Sequence, residues 1–210
     1  MKSAVFFDVD DTLCDTGALH AAAFRRTILD LGIDAQHFEY VGISGRRTED
    51  VFRWIFGENR EARVAEASKL KRAYFRESLQ DVEPMAGATE LLKYLSSEGK
   101  KLYAVSSGSL ASVTATLTAT HMIKFFEEVI TCDKIKKTKP HPDPYLHAIE
   151  LSGCKPVECV AIEDSEVGVI SALAAGLEVV LISPKMLDWV RRYPIQCYES
   201  LDLLLKKFQE

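Results

Sequence analysis

Short apolar runs alternate along this chain with longer stretches in which apolar residues recur every three or four positions. Residues 3–7, 101–105, 128–131, 159–162 and 178–182 are brief, β-rich and each followed by a polar turn, as buried strands are. Between them, Ala88, Leu91, Leu92 and Leu95 mark a helical face that closes at Gly99. Leu110, Val113 and Leu117 mark another. Asp143 before Pro144 reads as an N-cap followed by proline at N1, opening a helix through Leu146 and Ile149 that stops at Gly153. Val167, Ile170 and Ala174 form a further stripe, stopped by Gly176. The alternation predicts an α/β fold, a doubly wound parallel sheet covered by helices on both faces.

Residues 14–83 break the alternation. They show no convincing strand, only helical stripes at Ala21–Phe24–Ile28–Leu31, Val51–Trp54–Ile55 and Val64–Ala67–Leu70–Tyr74. The expected organisation is an α/β core of residues 1–13 and 84–210, with an all-helical insertion at 14–83. Such an insertion after the first strand lies over the carboxyl ends of the strands, where open α/β sheets bind ligands. The segment from Pro84 to Gly87 is the expected return hinge, and Phe52, Trp54 and Phe56 are expected in the core of the insertion.

Composition narrows the classes. A chain of 210 residues can hold one sizeable core plus a small lobe. With 47% hydrophobic and 27% charged residues, disordered and fibrous classes drop out. A net charge of −5 with no basic face argues against nucleic acid or an anionic membrane as partner. The densest basic run, residues 134–139, reads as a solvated loop except for Lys139. No segment approaches the ~18 apolar residues of a membrane span, and the apolar start is too short for a signal peptide. Five cysteines without a C-x-x-C pair read as free thiols in a reducing compartment, so the cytoplasm is expected. His37, His121, His141 and His147 form no zinc-site spacing.

The candidate chemistry gathers where strands end. Asp8, Asp10, Asp11 and Asp15 follow the first strand. Taken alone, the Asp8–Asp10 pair fits a capping turn, a metal site, or a nucleophile with its acid/base. Partners stand at other strand ends. Ser106-Ser107-Gly108-Ser109 offers hydroxyls and backbone N–H groups to an anion. Lys139 lies in K-P-H-P-D-P, where alternate prolines stiffen the loop and aim the cation. Glu163-Asp164 is a second acidic pair. Carboxylates, a hydroxyl and a fixed ammonium suit Mg²⁺ with substrate phosphate, and phosphoryl transfer.

In order and spacing, Asp8-Val9-Asp10-Asp11-Thr12-Leu13, Ser106, Lys139-Pro140 and Glu163-Asp164 resemble the haloacid dehalogenase superfamily, from residue 6 to about residue 182. The helical insertion resembles that superfamily's small helical cap. The resemblance implies an Mg²⁺-dependent phosphatase acting on a small phosphorylated metabolite, of the sugar phosphate or phosphoglycolate class. Asp8 would be the nucleophile that forms an aspartyl-phosphate, and Asp10 the acid/base. Asp8, the Asp10 carbonyl and Asp164 would hold the metal, with Glu163 nearby or ligating. Ser106 would bond a phosphoryl oxygen, and Lys139 would neutralise charge and hold Asp8. The presence of Asp10 favours phosphate esters over ion pumping or dehalogenation. A phosphomutase of the β-phosphoglucomutase type is the alternative, and a non-catalytic regulatory member is a third.

Asp11 departs from the family's usual glycine, and a turn or capping role is expected of it. Residues 15–20 resemble the hinge of the β-phosphoglucomutase-like branch, so His20 either contacts Asp10 or makes local bonds at a helix start. Gly42-Ile43-Ser44-Gly45-Arg46-Arg47-Thr48 resembles the cap's substrate-specificity loop, with Thr48 expected as an N-cap. Arg46 or Arg47 would reach a second anionic group, or be solvated. Cys14 beside the nucleophile loop is either an incidental or an oxidation-sensitive thiol.

Overall fold

The protein is described by a computed structural model covering residues 2–34, 38–39, 43–57, 59–185 and 187–210. The strands are β1 (Ala4–Phe7), β2 (Cys14–Asp15), β3 (Glu83–Pro84), β4 (Lys101–Val105), β5 (Glu128–Ile130), β6 (Cys159–Glu163), β7 (Glu178–Ile182) and β8 (Gln196–Tyr198). The helices are α1 (Gly17–Asp30), α2 (Thr48–Phe56), α3 (Glu61–Glu77), α4 (Ala88–Ser97), α5 (Leu110–Ala119), α6 (Asp143–Ser152), α7 (Glu166–Ala174) and α8 (Leu201–Gln209).

Six strands form one parallel sheet in the order β5-β4-β1-β6-β7-β8. Parallel strands need cover on both faces, and the residues of β1 are all buried. Val5 and Phe7 pack with Leu91 and Leu92 of α4, Leu117 of α5 and Leu204 of α8. Ala4 and Phe6 turn the other way, onto Tyr145 and Ala148 of α6 and Val169 and Ala172 of α7. The expected doubly wound α/β sheet is therefore present. Strand order runs outward in opposite directions from β1, so the crevice at the carboxyl end of β1 is the topological switch point.

The sheet also contains a strand, β8, with no apolar run to predict it. β8 is short, and only Cys197 and Tyr198 are even half-buried, so it lacks the continuous apolar run of the others. At two helix starts the boundary moves by one residue. α6 has Pro142 at its N-cap position, leaving Asp143 and Pro144 in its first turn. α2 has Arg47 at its N-cap position, with Thr48 already helical and no side-chain cap bond.

Between β2 and β3 the chain forms α1, α2 and α3, whose residues Phe24, Ile28, Val51, Phe52, Val64 and Ala67 bury a core of their own with Ile43. β2 and β3 pair antiparallel, Cys14 with Pro84 and Asp15 with Glu83, tying entry to exit. Two-residue strands are too short to show a period in sequence. Trp54 is 76% exposed while Phe52 is fully buried, because two residues turn a helix about 200°. Trp54 is thus no part of that core. In α3 the buried face runs Val64–Ala67–Ser68–Lys71–Phe75, while Leu70 and Tyr74 are only half-buried. His37 and Gly42 lie outside the described residues. No helix among the described residues is long and apolar enough to cross a membrane.

Candidate active site

Asp8 follows β1, and its N–H donates to the Ile162 carbonyl at 2.9 Å, so the ladder holds its backbone. The chain then turns sharply. Leu13 and Cys14 both donate N–H to the Val9 carbonyl. Asp11 adopts φ 61, and its carboxylate accepts the N–H groups of Gly17 at 2.5 Å and Thr16 at 3.2 Å. This is an Asx-type brace that brings α1 close to the sheet. Gly17 is needed there, since a Cβ would lie 2.4 Å from Asp11 Oδ2.

Lys139 reaches the same strand end from the loop before α6. Its ammonium donates to Asp8 Oδ1 at 2.7 Å, Glu163 Oε1 at 2.5 Å and the Val105 carbonyl at 2.8 Å. Three donors meet three acceptors, so the cation is fixed. Glu163 also accepts from the Tyr145 hydroxyl and from Ser165 Oγ at 3.4 Å. Thr12 Oγ1 donates to Asp164 Oδ1 at 3.4 Å.

Burial and crowding dominate the electrostatics. Burial, with repulsion from Glu163 and Asp10, pushes Asp8 up to about 8 despite Lys139. Asp164 is raised well above the usual carboxylate range by burial and by the negative charges of Asp8 and Glu163. Burial opposes the charge on Lys139, but Asp8 and Glu163 outweigh it and raise its pKa. Oxygens of Asp8, Glu163 and Asp164 lie within 4.8 Å of one another. This hard-oxygen donor set, whose mutual repulsion a cation would relieve, fits Mg²⁺.

Asp10 belongs to a second network. Its Oδ1 accepts Thr16 Oγ1 at 2.9 Å and meets His20 Nε2 at 3.0 Å. His20 Nδ1 lies 2.5 Å from Lys71 Nζ, an order that works with Nε2 donating and Nδ1 accepting. The His20 ring stacks on Phe75 at 4.0 Å, and Lys71 lies 4.6 Å from the centre of the Phe24 ring. Burial raises Asp10, but His20 and Thr16 outweigh it and hold the carboxyl down at about 2. Burial, then Lys71, lowers His20. Burial pulls Lys71 down to about 7.

Ser106 Oγ sits 3.4 Å from Asp10 Oδ2 and accepts the Gly108 N–H at 3.0 Å. Ser107 Oγ donates to the Gly45 carbonyl at 2.7 Å, joining the core to the helical insertion. Asp8, Asp10, His20, Arg46, Ser106, Ser107 and Gly108 thus surround one small cavity of about 40 Å³. Arg47 does not line it. Arg47 instead faces Glu49 at 3.6 Å, beside a neighbouring cleft. Cys14 is buried, and desolvation pushes its thiol up to about 12, so it is an inert packing residue at neutral pH.

Lys71, Thr16 and Tyr145 join these networks without an acidic or strand-end motif to mark them in the sequence. For Lys71 a signal existed: it continues the Val64–Ala67 stripe at helical spacing, and a lysine on an apolar face is rarely buried without a partner.

The sequence profile of the haloacid dehalogenase-like hydrolases matches residues 5–182. The chain is 32% identical to protein CbbY of Rhodobacter capsulatus, over 85% of this chain and 84% of that protein. It is 28% identical to the fructose-1-phosphate phosphatase YqaB of Escherichia coli K12, over 85% of this chain and 95% of that protein. The fold is shared with β-phosphoglucomutase from Clostridium difficile, with a TM-score of 0.86 and 20% identity, covering 100% of this chain and 96% of that one.

Proposed function

The chain belongs to the haloacid dehalogenase-like hydrolases, and on that premise we propose that it is an Mg²⁺-dependent phosphatase of a small phosphorylated metabolite, of sugar phosphate or phosphoglycolate type, working through an aspartyl-phosphate. The observation that carries the reading is the pairing of Asp8, fixed by Lys139, with Asp10, fixed separately by Thr16 and His20. Two carboxylates two residues apart are held by separate partners; a cation held by Asp8 would restore the charge that burial and crowding remove, leaving Asp10 to handle the proton.

An Asp8 oxygen attacks phosphorus in line. A bond forms from Asp8 to phosphorus while the bond from phosphorus to the ester oxygen breaks, and Asp10 gives its proton to that oxygen. Without substrate Asp10 is anionic. A phosphate dianion docking beside it adds like charge and lifts it toward the protonated form. After the alcohol leaves, the Asp10 carboxylate takes a proton from water as that water attacks phosphorus. The bond to Asp8 then breaks and inorganic phosphate departs.

The Ser106 hydroxyl, oriented by the Gly108 N–H, bonds a phosphoryl oxygen, and Lys139 offsets its charge. Asp8, Asp164 and the Asp10 carbonyl would hold Mg²⁺, which supplies charge neutralisation and orientation of the phosphoryl group. Glu163, engaged by Lys139 and Tyr145, fixes Lys139 and sets its carboxylate beside that donor set.

Residues 14–83 are the cap and residues 1–13 with 84–210 the catalytic core, with β2 and β3 as the hinge. His20 and Lys71 come from the cap, so seating it sets the state of Asp10. The five free cysteines support a cytoplasmic setting. The test is phosphate release from a panel of small phosphate esters with and without Mg²⁺, with Asp8→Asn as control. Turnover of one ester class by wild type alone supports the reading. Interconversion of hexose 1- and 6-phosphates without phosphate release would replace it by a phosphomutase.

A further inference from the structure

Tyr145 stands in the first turn of α6, just beyond the proline-rich loop that carries Lys139, and it is fully buried. Its ring centre lies 6.4 Å from that of Phe6 in β1, within the layer that holds Ala148, Val169 and Ala172. A phenol packed in this way keeps its hydroxyl in one place, and a buried hydroxyl needs a partner. The partner is Glu163 Oε1. The phenol is the donor, because an ionised carboxylate can only accept.

The same oxygen takes the Lys139 ammonium at 2.5 Å, while Oε2 meets Ser165 Oγ at 3.4 Å. Tyr145 also faces the ammonium directly. Lys139 Nζ lies 5.2 Å from the centre of its ring, within the range of a cation–π contact. One side chain therefore touches both halves of a buried ion pair, with its hydroxyl on the carboxylate and its ring beside the ammonium.

Two carboxylates compete for that ammonium. Asp8 Oδ1 lies at 2.7 Å and Glu163 Oε1 at 2.5 Å, with the Val105 carbonyl at 2.8 Å as the third acceptor. In a low-dielectric interior each of these bonds is strong, and what satisfies one acceptor changes its hold on the next donor. The phenol gives Glu163 a second donor on the contested oxygen and so weakens its pull on Lys139. Without that hydroxyl, Lys139 is the one short-range donor to Glu163 among the described residues, and the ammonium is drawn off Asp8.

We propose that Tyr145 is a positioning residue of the reaction: through Glu163 it sets how Lys139 is divided between the two acids and keeps the ammonium on Asp8. It touches none of the reacting atoms, so its effect falls on phosphoryl transfer and not on binding of the substrate. This rests on the phosphatase reading for the step that it serves, whereas the placement of the ammonium does not.

Tyr145→Phe removes the hydroxyl and keeps the ring, and Tyr103→Phe is its control. Tyr103 is a second buried phenol against Phe6, at 5.7 Å, whose hydroxyl bonds the Leu151 carbonyl and Glu127 instead. In protein labelled with ¹⁵N-lysine, a buried ammonium held by three acceptors exchanges slowly and gives its own resonance, assigned to Lys139 by its loss in Lys139→Arg. Tyr145→Phe should shift that resonance, and Tyr103→Phe should leave it in place. With a hydrolysed ester, Tyr145→Phe should lower kcat roughly tenfold, as the loss of a hydrogen bond to a charged group does. Its KM should stay within about twofold, and Tyr103→Phe should keep kcat within about twofold whatever it costs in melting temperature. The role is overturned by a wild type without such a resonance, an unshifted one in Tyr145→Phe, a shift without a fall in kcat, or an equal fall in both variants. If wild type releases phosphate from no ester, the phosphatase reading falls, and the resonance still decides whether Tyr145 places Lys139.

Discussion

Gly168 of α7 lies against the carboxylate of Glu163 so closely that a Cβ there would fall 2.0 Å from Oε2 and 2.2 Å from Oε1. Glu163 is fully buried and shares Lys139 with Asp8. The packing of one glycine therefore reaches the nucleophile through two side chains. Gly168→Ala must displace Glu163 or the helix, at about 1–3 kcal/mol for overpacking. A lower melting temperature is expected, with at least a tenfold fall in phosphate release. Unaltered kinetics in the folded variant would separate Glu163 from the working site.

Lys139 is the shared counter-ion of two buried carboxylates. Lys139→Met leaves both without it, and breaking a buried pair from one side costs about 3–5 kcal/mol. Lys139→Met with Glu163→Gln should recover part of that stability in urea titration while activity stays absent. Restored activity in the double variant would show that the ammonium is structural only.

Asp11, with φ 61, holds two N–H groups at the start of α1. Asp11→Asn keeps an acceptor and tolerates that backbone, so it should retain most activity. Asp11→Ala loses both, and a lost cap of this kind costs about 0.5–2 kcal/mol. Denaturant midpoints of the two variants give the comparison.

Lys71 supplies a pH signature. Its pKa is pulled down to about 7 by burial, from the ordinary lysine value of about 10.4 in an unfolded chain. Between those limits the unfolded chain binds more protons, so the contribution of Lys71 to stability rises with pH and is lost as pH falls toward 7. Relative to wild type, Lys71→Met should therefore be more stabilising at pH 7 than at pH 10. Equal differences at both pH values would mean that Lys71 stays charged in the fold.

The chemistry was more legible in the sequence than the contacts that tune it. Asp8, Asp10, Ser106 and Glu163-Asp164 stand at strand ends, which are marked by apolar runs that stop abruptly, and Lys139 lies in a proline-stiffened loop between β5 and α6. Those acids and the lysine meet at the switch point of the sheet. Tyr145 and Gly168 could not be found that way, because their role depends on how α6 and α7 pack against Glu163. Lys71 was hidden by its own charge, which reads as solvent-facing until the stripe through Val64 and Ala67 is extended. Trp54 misled in the opposite sense, an aromatic beside core residues yet turned outward. β8 and the β2–β3 ribbon escaped because two or three residues carry no period.

The most direct measurement is acid-quenched labelling with a phosphate ester carrying radioactive phosphorus, in the presence of Mg²⁺. With an ester whose leaving group needs no protonation, such as 4-nitrophenyl phosphate, Asp10→Asn can still be phosphorylated at Asp8 but lacks the base that hydrolyses the adduct, so label should accumulate on the protein. Asp8→Asn/Asp10→Asn should hold none, and peptide mapping should place the label at Asp8. Label on neither protein while wild type releases phosphate, or turnover by Asp8→Asn at the wild-type rate, would contradict Asp8 as the nucleophile.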